Sequence, residues 1–178
     1  KKCWSDEILD AAGVDKKLLS EAVPAFNVAG NLKKDIAEKL GIKGTVKIVN
    51  GAHDQVASAV GAGVFEKGQA VDGTGTVECV TPVFDAIPEN ELLYDEGYSV
   101  VPYVFDGTYV CYALSFTGGA TLKWFRDNFA PDKSYKELDN SVTDEPGKVL
   151  ILPHFAGAAN PYMDNGSKAS IIGLTLEH

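Results

Sequence analysis

No apolar run in the chain approaches the roughly 20 residues needed to span a bilayer, and no charged-then-apolar leader opens it. Basic residues are in deficit: 16 Lys+Arg stand against 25 Asp+Glu, a net charge of −9. A nucleic-acid footprint needs clustered Lys and Arg, so the acidic balance argues against that class of partner. Cysteine is scarce, and Cys3, Cys79 and Cys111 are odd in number and far apart in sequence. That spacing excludes a disulfide framework and a Cys-x-x-Cys metal site, and it points to a reducing compartment. The expectation is a soluble, cytoplasmic chain with neither nucleic-acid nor membrane partners. His-x-x-His is absent, so no protein-only metal site is expected. Nothing matches a Gly-x-Ser-x-Gly nucleophile elbow. Neither a full Gly-x-Gly-x-x-Gly nor a Walker lysine is present. There is no internal repeat and no low-complexity tract.

What remains is a chain of 178 residues, 45% hydrophobic and 23% charged, close to the averages of globular proteins. That length suits one domain, or one and part of another. The chain opens on Lys1 rather than Met and stops at Leu176-Glu177-His178, just after an apolar stretch. It reads as a piece of a longer protein, and Leu-Glu-His reads equally as the start of an expression-tag scar.

Residues 5–12 read as a short helix, with Ser5 as N-cap and Gly13 as its stop. Residues 32–40 place Leu32, Ile36, Ala37 and Leu40 on one helical face, and Gly41 ends it. Val46 to Val49 form a short β-rich run. Gly51 and a small-residue helix over 53–64 follow, a strand–turn–helix signature. Its small face (Ala57, Ala59, Gly61, Ala62, Gly63) suits close approach of another backbone. After Phe65-Glu66-Lys67-Gly68 the character changes to β. Val71–Val83 and Ser99–Ser115 each carry a glycine turn near the middle, Asp106-Gly107 being a strong hairpin signal. Thr117-Gly118-Gly119 opens a helix over 120–129 with Leu122, Phe125 and Phe129 on its apolar face. A further helix is expected near 134–142, then a buried-type strand over 148–152 ending at Pro153. A Gly- and Asn-rich loop runs on to Ile171-Ile172-Gly173-Leu174. The change in character predicts a domain boundary near 65–70 within a mixed α/β chain.

Three places could carry chemistry. Asp54, in Gly51-Ala52-His53-Asp54-Gln55, sits where a strand gives way to a helix, held on a rigid element at the end of a strand, where crevices in α/β sheets lie. The plainer alternative is an N-cap worth about 1 kcal/mol, and position alone favours the cap. Asp72-Gly73-Thr74-Gly75-Thr76 is a glycine turn whose N–H and hydroxyl groups can converge on an anion, although an ordinary glycine hairpin fits as well. Gly118-Gly119 at a helix entry can present N–H groups to a phosphate, a weak signal by itself. His53 adjoins Asp54 and can line the same crevice. His154 reads as structural, and Trp4 and Trp124 as packing residues.

The ordered set resembles the FGGY family of carbohydrate kinases. Gly51-Ala52-His53-Asp54-Gln55 with its small-residue helix resembles the segment that ends the family's first domain. Gly73-Thr74-Gly75-Thr76 resembles the phosphate loop at the start of its second domain. Gly118-Gly119-Ala120 through Trp124-Phe125-Arg126-Asp127 resembles the family's Gly-Gly-to-Trp-Leu-Arg-Asp helix. Leu152-Pro153 through Gly157, Pro161, Asp164 and Ile172-Gly173-Leu174-Thr175 resembles a later stretch, and Trp4 and Val28–Leu32 fall in order before them. The family's usual Glu-Arg-x-Pro is replaced by Ala158-Ala159-Asn160-Pro161, which touches the subgroup and its substrate. Members run to about twice this length or more, and their N-terminal Asp-x-Gly-Thr loop and late adenine-binding segment are absent here.

The resemblance implies an actin-like, ribonuclease-H-type fold, with 1–66 as the C-terminal part of the first, sugar-binding domain. Residues 67–178 would then begin the second, nucleotide-binding domain. It implies transfer of the ATP γ-phosphate to a sugar or polyol hydroxyl, a xylulose-type ketose favoured, with Mg2+ accompanying ATP. Asp54 falls on the catalytic base. Gly73, Thr74 and Gly75, with Gly118 and Gly119, fall on nucleotide contacts, and His53 and Gln55 flank the base on the substrate side. It also predicts a cleft with Asp54 at the rim and Gly73-Thr74 across from it. The piece alone is expected to be inactive, and either to self-associate, with a homodimer as one form, or to be only modestly stable. The alternative from another class is a non-catalytic actin-like binding or assembly module, against which the retained Asp54 speaks.

Overall fold

The structure, a computed structural model, describes residues 3–89 and 91–176; Lys1, Glu177 and His178 of the termini discussed above lie outside it. Helix α1 (Asp6–Ala12) starts as its capping residue dictates. Ser5 is extended and its hydroxyl accepts the Ile8 N–H, while Gly13 at φ +66° turns its own N–H back onto the last carbonyls. A single 3-10 turn, Lys16–Leu18, is capped by Asp15. Strands β1 (Val28–Asn31) and β2 (Lys47–Val49) pair antiparallel around helix α2 (Lys34–Lys39). The sequence offers no alternation for β1, and every residue of that strand is exposed.

Helix α3 (Asp54–Gly61) leads into the central element, a four-stranded sheet of β3 (Ala70–Thr74), β4 (Glu78–Phe84), β5 (Ser99–Pro102) and β6 (Tyr109–Ser115). Its order is β3-β4-β6-β5 and every pairing is antiparallel. Asp106-Gly107 makes the tight turn between β5 and β6, Gly107 taking φ +77°. A short helix α4 (Leu92–Asp95) lies in the connection from β4 to β5. No apolar period marked it in the sequence.

Registers Val71↔Thr81, Val83↔Val110 and Val101↔Val110 put Val71, Thr81, Val83, Val101, Val110 and Tyr112 on one face of the sheet. Against that face lies α3, through Val56 and Ala59, with Val64 and Tyr103 completing a single buried cluster. Ala59 and Val110 are wholly buried. A side chain as small as alanine lets the helix backbone sit close to the strands, and each buried valine contributes about 1.5–3 kcal/mol. The Tyr103 hydroxyl donates to the Val64 carbonyl at 2.7 Å, tying the segment after α3 to the end of β5.

The opposite face is covered in part by residues 157–160, where Ala158 and Ala159 are buried along with Cys111 of β6. Asn160 holds this segment in place. Pairing of β5 with β6 stops at Ser99↔Tyr112. Beyond it, the Asn160 carbonyl oxygen accepts the Leu114 N–H at 2.9 Å and its amide donates to the Gly97 carbonyl at 2.7 Å. One side-chain amide thus replaces a missing stretch of strand.

Helix α5 (Gly119–Phe129), helix α6 (Tyr135–Asn140) and the antiparallel pair β7 (Leu150–Leu152) and β8 (Ser170–Ile172) complete the element order. Two expectations need correction here. The strand expected to be buried, β7, is exposed throughout, Leu150 at 69%. Its run of Val-Leu-Ile-Leu suits a strand covered on both faces, yet β8 is its only sheet partner among the described residues and no layer packs over it. Likewise Leu122, Phe125 and Phe129 stay exposed, while Trp124 turns inward onto Phe155 at 4.5 Å between ring centroids.

Two outcomes are expected. Asn160→Ala leaves the Leu114 N–H and the Gly97 carbonyl without their partner, and should cost about 1–2 kcal/mol in urea unfolding. In α6, the Ser134 N–H and hydroxyl both donate to the Glu137 carboxylate, each at 2.8 Å, closing a capping box. The Ser134 backbone bond is the main cause holding the Glu137 carboxyl below its ordinary value. A depressed folded value means stabilisation in place above the unfolded value and lost as pH falls through the folded one. An NMR titration should therefore find the Glu137 midpoint below the ordinary glutamate value of about 4.3, rising only in part in Ser134→Ala, which removes the hydroxyl bond and keeps the backbone N–H.

Candidate active site

Asp54 is the first helical residue of α3, and His53 holds the cap position without a side-chain cap bond. The Asp54 carboxylate accepts the Gln55 backbone N–H at 2.7 Å. It otherwise points outward, its side chain 93% exposed. The Nδ1 of His53 lies 3.2 Å from the same carboxylate oxygen. The His53 ring in turn tilts against Tyr112 of β6, centroids 5.7 Å apart. Burial is the main cause that pushes the Tyr112 phenol up from its ordinary value, and Cys79 and Asp54 add to it.

Gln55 turns the other way, onto the sheet. Its side-chain nitrogen donates to the Cys79 carbonyl and to the Thr81 hydroxyl, both at 3.0 Å. The Cys79 carbonyl can only accept, so the amide orientation is fixed by chemistry. Both N–H donors are thereby used, and the carbonyl oxygen lies over Gly73, where a Cβ would come within 2.7 Å of it. Gly73 does not take a positive φ; it is glycine because Gln55 fills the space above it. Asp54 and Gly73-Thr74 therefore stand side by side, joined through Gln55, rather than facing each other across an open gap.

The two glycine turns also meet. The N–H groups of Gly118 and Ala120 donate to the Thr76 carbonyl at 3.0 and 3.3 Å, and Gly119 N–H donates to the Gly75 carbonyl at 2.7 Å. A Cβ on Gly119 would lie 2.8 Å from the Gly75 oxygen, and one on Gly118 would lie 3.0 Å from the Val77 backbone. Close approach of the α5 entry to the β3–β4 turn is what demands glycine at both positions. These amides face the hairpin, and the Gly75 N–H is itself taken by the Val77 carbonyl at 2.8 Å; Thr74 and Thr76 are the exposed hydroxyl-bearing residues of the turn.

A groove of about 520 Å³ opens on the sheet face away from α3, lined by Glu78, Val80, Ser115, Gly118, Thr121 and Ile151 among others. The buried Thr121 hydroxyl has no hydrogen-bond partner among the described residues. Among those residues no three of His, Cys, Asp and Glu cluster as a metal site, and no helix is long and apolar enough to cross a membrane. His154 bonds Ser167 through Nδ1 at 2.8 Å.

Thr81 and Tyr112 went unnoticed in the sequence. The signal was there for Thr81, a polar residue at an inward position of the alternating run Val80-Thr81-Pro82-Val83, wholly buried in the fold. Tyr112 carried no comparable mark, because a tyrosine inside a β-run is ordinary.

Comparison with known proteins follows the same lines. Residues 1–61 match the N-terminal domain of the FGGY family of carbohydrate kinases. The xylulose kinase of Lactococcus lactis is 29% identical over the whole chain, which covers 35% of that protein. The glycerol kinase of Deinococcus radiodurans is 30% identical over 97% of the chain and 34% of its own length. The crystal structure of a ligand-bound xylulose kinase from Lactobacillus acidophilus superposes with a TM-score of 0.83, at 23% identity, over 98% of this chain and 36% of that one. The chain thus spans about 35% of the length of the curated relatives it matches, and it shares the actin-like kinase fold over that span. The family match over residues 1–61, relatives aligned along nearly the whole chain and the common fold agree: this chain is similar throughout to FGGY carbohydrate kinases, and its first 61 residues match that family's N-terminal domain.

Proposed function

We propose that the protein carrying this chain is an ATP-dependent carbohydrate kinase, with a xylulose-type ketose as the favoured acceptor and Asp54 as general base. One observation carries the reading: an outward carboxylate at the start of α3 sits one residue from Gln55, which packs on Gly73 of the phosphate turn. Base and turn are thereby held on one rigid unit. Relatives named as xylulose kinases support a ketose acceptor, and those named as glycerol kinases keep polyols in the same class.

The chemistry follows from the groups. The Asp54 carboxylate takes the proton of the acceptor hydroxyl. The oxygen attacks the γ-phosphorus, the bond to the β-phosphate oxygen breaks, and its electron pair leaves with ADP. Phosphoryl transfer asks the protein mainly for positioning and for donors to the developing charge. The turn at Gly73, Thr74 and Gly75, braced by Gly118 and Gly119, lies against the ATP phosphates in this reading, with the Thr74 hydroxyl as the donor it offers. Mg2+ enters with ATP as part of the substrate, held mainly by the phosphates. His53 stands on the acceptor side of Asp54, and Gln55 retains its carbonyl oxygen to accept from an acceptor hydroxyl. In this reading residues 1–66 end a sugar-binding domain and 67–178 begin a nucleotide-binding one, in a cytoplasmic enzyme. The chain by itself, about a third of its relatives' length, is inactive.

The test is ADP release by the full-length protein across ketoses, aldoses and polyols, with Asp54→Asn in parallel. Sugar-dependent release should fall by several orders of magnitude in the variant. Release that survives the substitution removes Asp54 as the base. No release with any acceptor, despite measurable ATP binding, points to a non-catalytic binding module.

A further inference from the structure

We infer that Thr81 and Gln55 form a strap that positions Asp54 against the phosphate turn, making Thr81 a positioning residue of the transfer. This rests on the kinase reading above. The observations are geometric. Thr81 is wholly buried in the middle of β4, so it touches neither acceptor nor nucleotide. Its hydroxyl accepts from the Gln55 amide at 3.0 Å, and the neighbouring Cys79 carbonyl accepts from the same nitrogen at 3.0 Å. Gln55 follows Asp54 directly on the first turn of α3, and Gly73 is paired with Cys79 in the sheet. A side chain that grips β4 with both donors and lies on the bare backbone of β3 thus sets where the α3 N-terminus stands relative to the turn.

The consequence is a fixed separation between base and phosphoryl site. An exposed carboxylate on a short helix has few contacts of its own to hold it, and a displacement near 1 Å can cost about a hundredfold in rate. The strap supplies that constraint from beneath, anchored at Thr81, which is wholly buried and never meets the substrate. It also accounts for glycine at position 73 by space: the strap occupies the volume a side chain would need.

The experiment uses the full-length protein and four substitutions. Thr81→Val keeps the shape and removes the acceptor, while Thr81→Ser keeps the hydroxyl. The expected result for Thr81→Val is a kcat lower by about ten- to a hundredfold, with KM for acceptor and ATP within about twofold; Thr81→Ser should recover most of the rate. Unchanged kcat in folded Thr81→Val overturns the proposal, and so does a raised acceptor KM at unchanged kcat, which would make Gln55 a substrate contact only. The strap itself is read by a stability cycle. Gly73→Ala should lower the urea midpoint in the parent background and much less in Gln55→Ser, where the crowding is gone. Equal effects in both backgrounds overturn the contact even where Thr81→Val does not fold. If the parent turns over no acceptor, the kinase reading falls on that result and takes the catalytic role of the strap with it. The cycle still decides whether the strap exists.

Discussion

Everything that matters in this chain depends on how closely α3 can sit on the four-stranded sheet. Ala59 lies at the point of contact with no exposed surface, and Val56 fills the space beside it over Val83 and Val110. A bulkier side chain at 59 would lift the helix, since interiors packed to crystal density absorb even one methylene poorly. The helix start would then shift away from the sheet, and Gln55 would lose its reach to Thr81. Small residues in α3 therefore act at a distance: they set the level at which a carboxylate stands above a glycine turn.

Local chemistry made much of this readable beforehand. Ser5 and Gly13 bound the first helix where their capping preferences place them, and Asp106-Gly107 closes its hairpin. Such signals depend on a few neighbouring residues and survive whatever surrounds them. Gly73–Thr76 and Gly118-Gly119 could be picked out one at a time, but their contact could not, because forty residues separate them and only the sheet brings them together. For the same reason the sequence suggests amides free to meet an anion at the α5 entry, where the fold points them at the carbonyls of Gly75 and Thr76. Asn160 lies beyond local rules altogether: it acts across the chain on Leu114 and Gly97.

Burial was the least legible property. Composition pointed to a core of ordinary size, and the apolar residues are indeed present, yet β7 and the outer side of α5 keep theirs in contact with water. Hydrophobic pattern states which residues favour burial, and it is silent on whether a covering layer is at hand. The buried cluster under α3 draws on the helix, the sheet and the segments just beyond them, so much of the cohesion lies around the candidate site. The regions before α3 and after α5 contribute little to it.

The Asn160 amide has one more effect. Beyond the end of β5, strand β6 would offer unpaired backbone groups, and such groups recruit any extended chain that passes. With Asn160 occupying the Leu114 N–H, that site no longer accepts an added strand. On the other flank β3 is an edge of the sheet among the described residues, and it ends in the glycine turn. Among the described residues the sheet therefore has its edges at β3 and β5, and a strand added on the β3 side would be laid down along Ala70–Thr74, next to the place where phosphate is expected to bind.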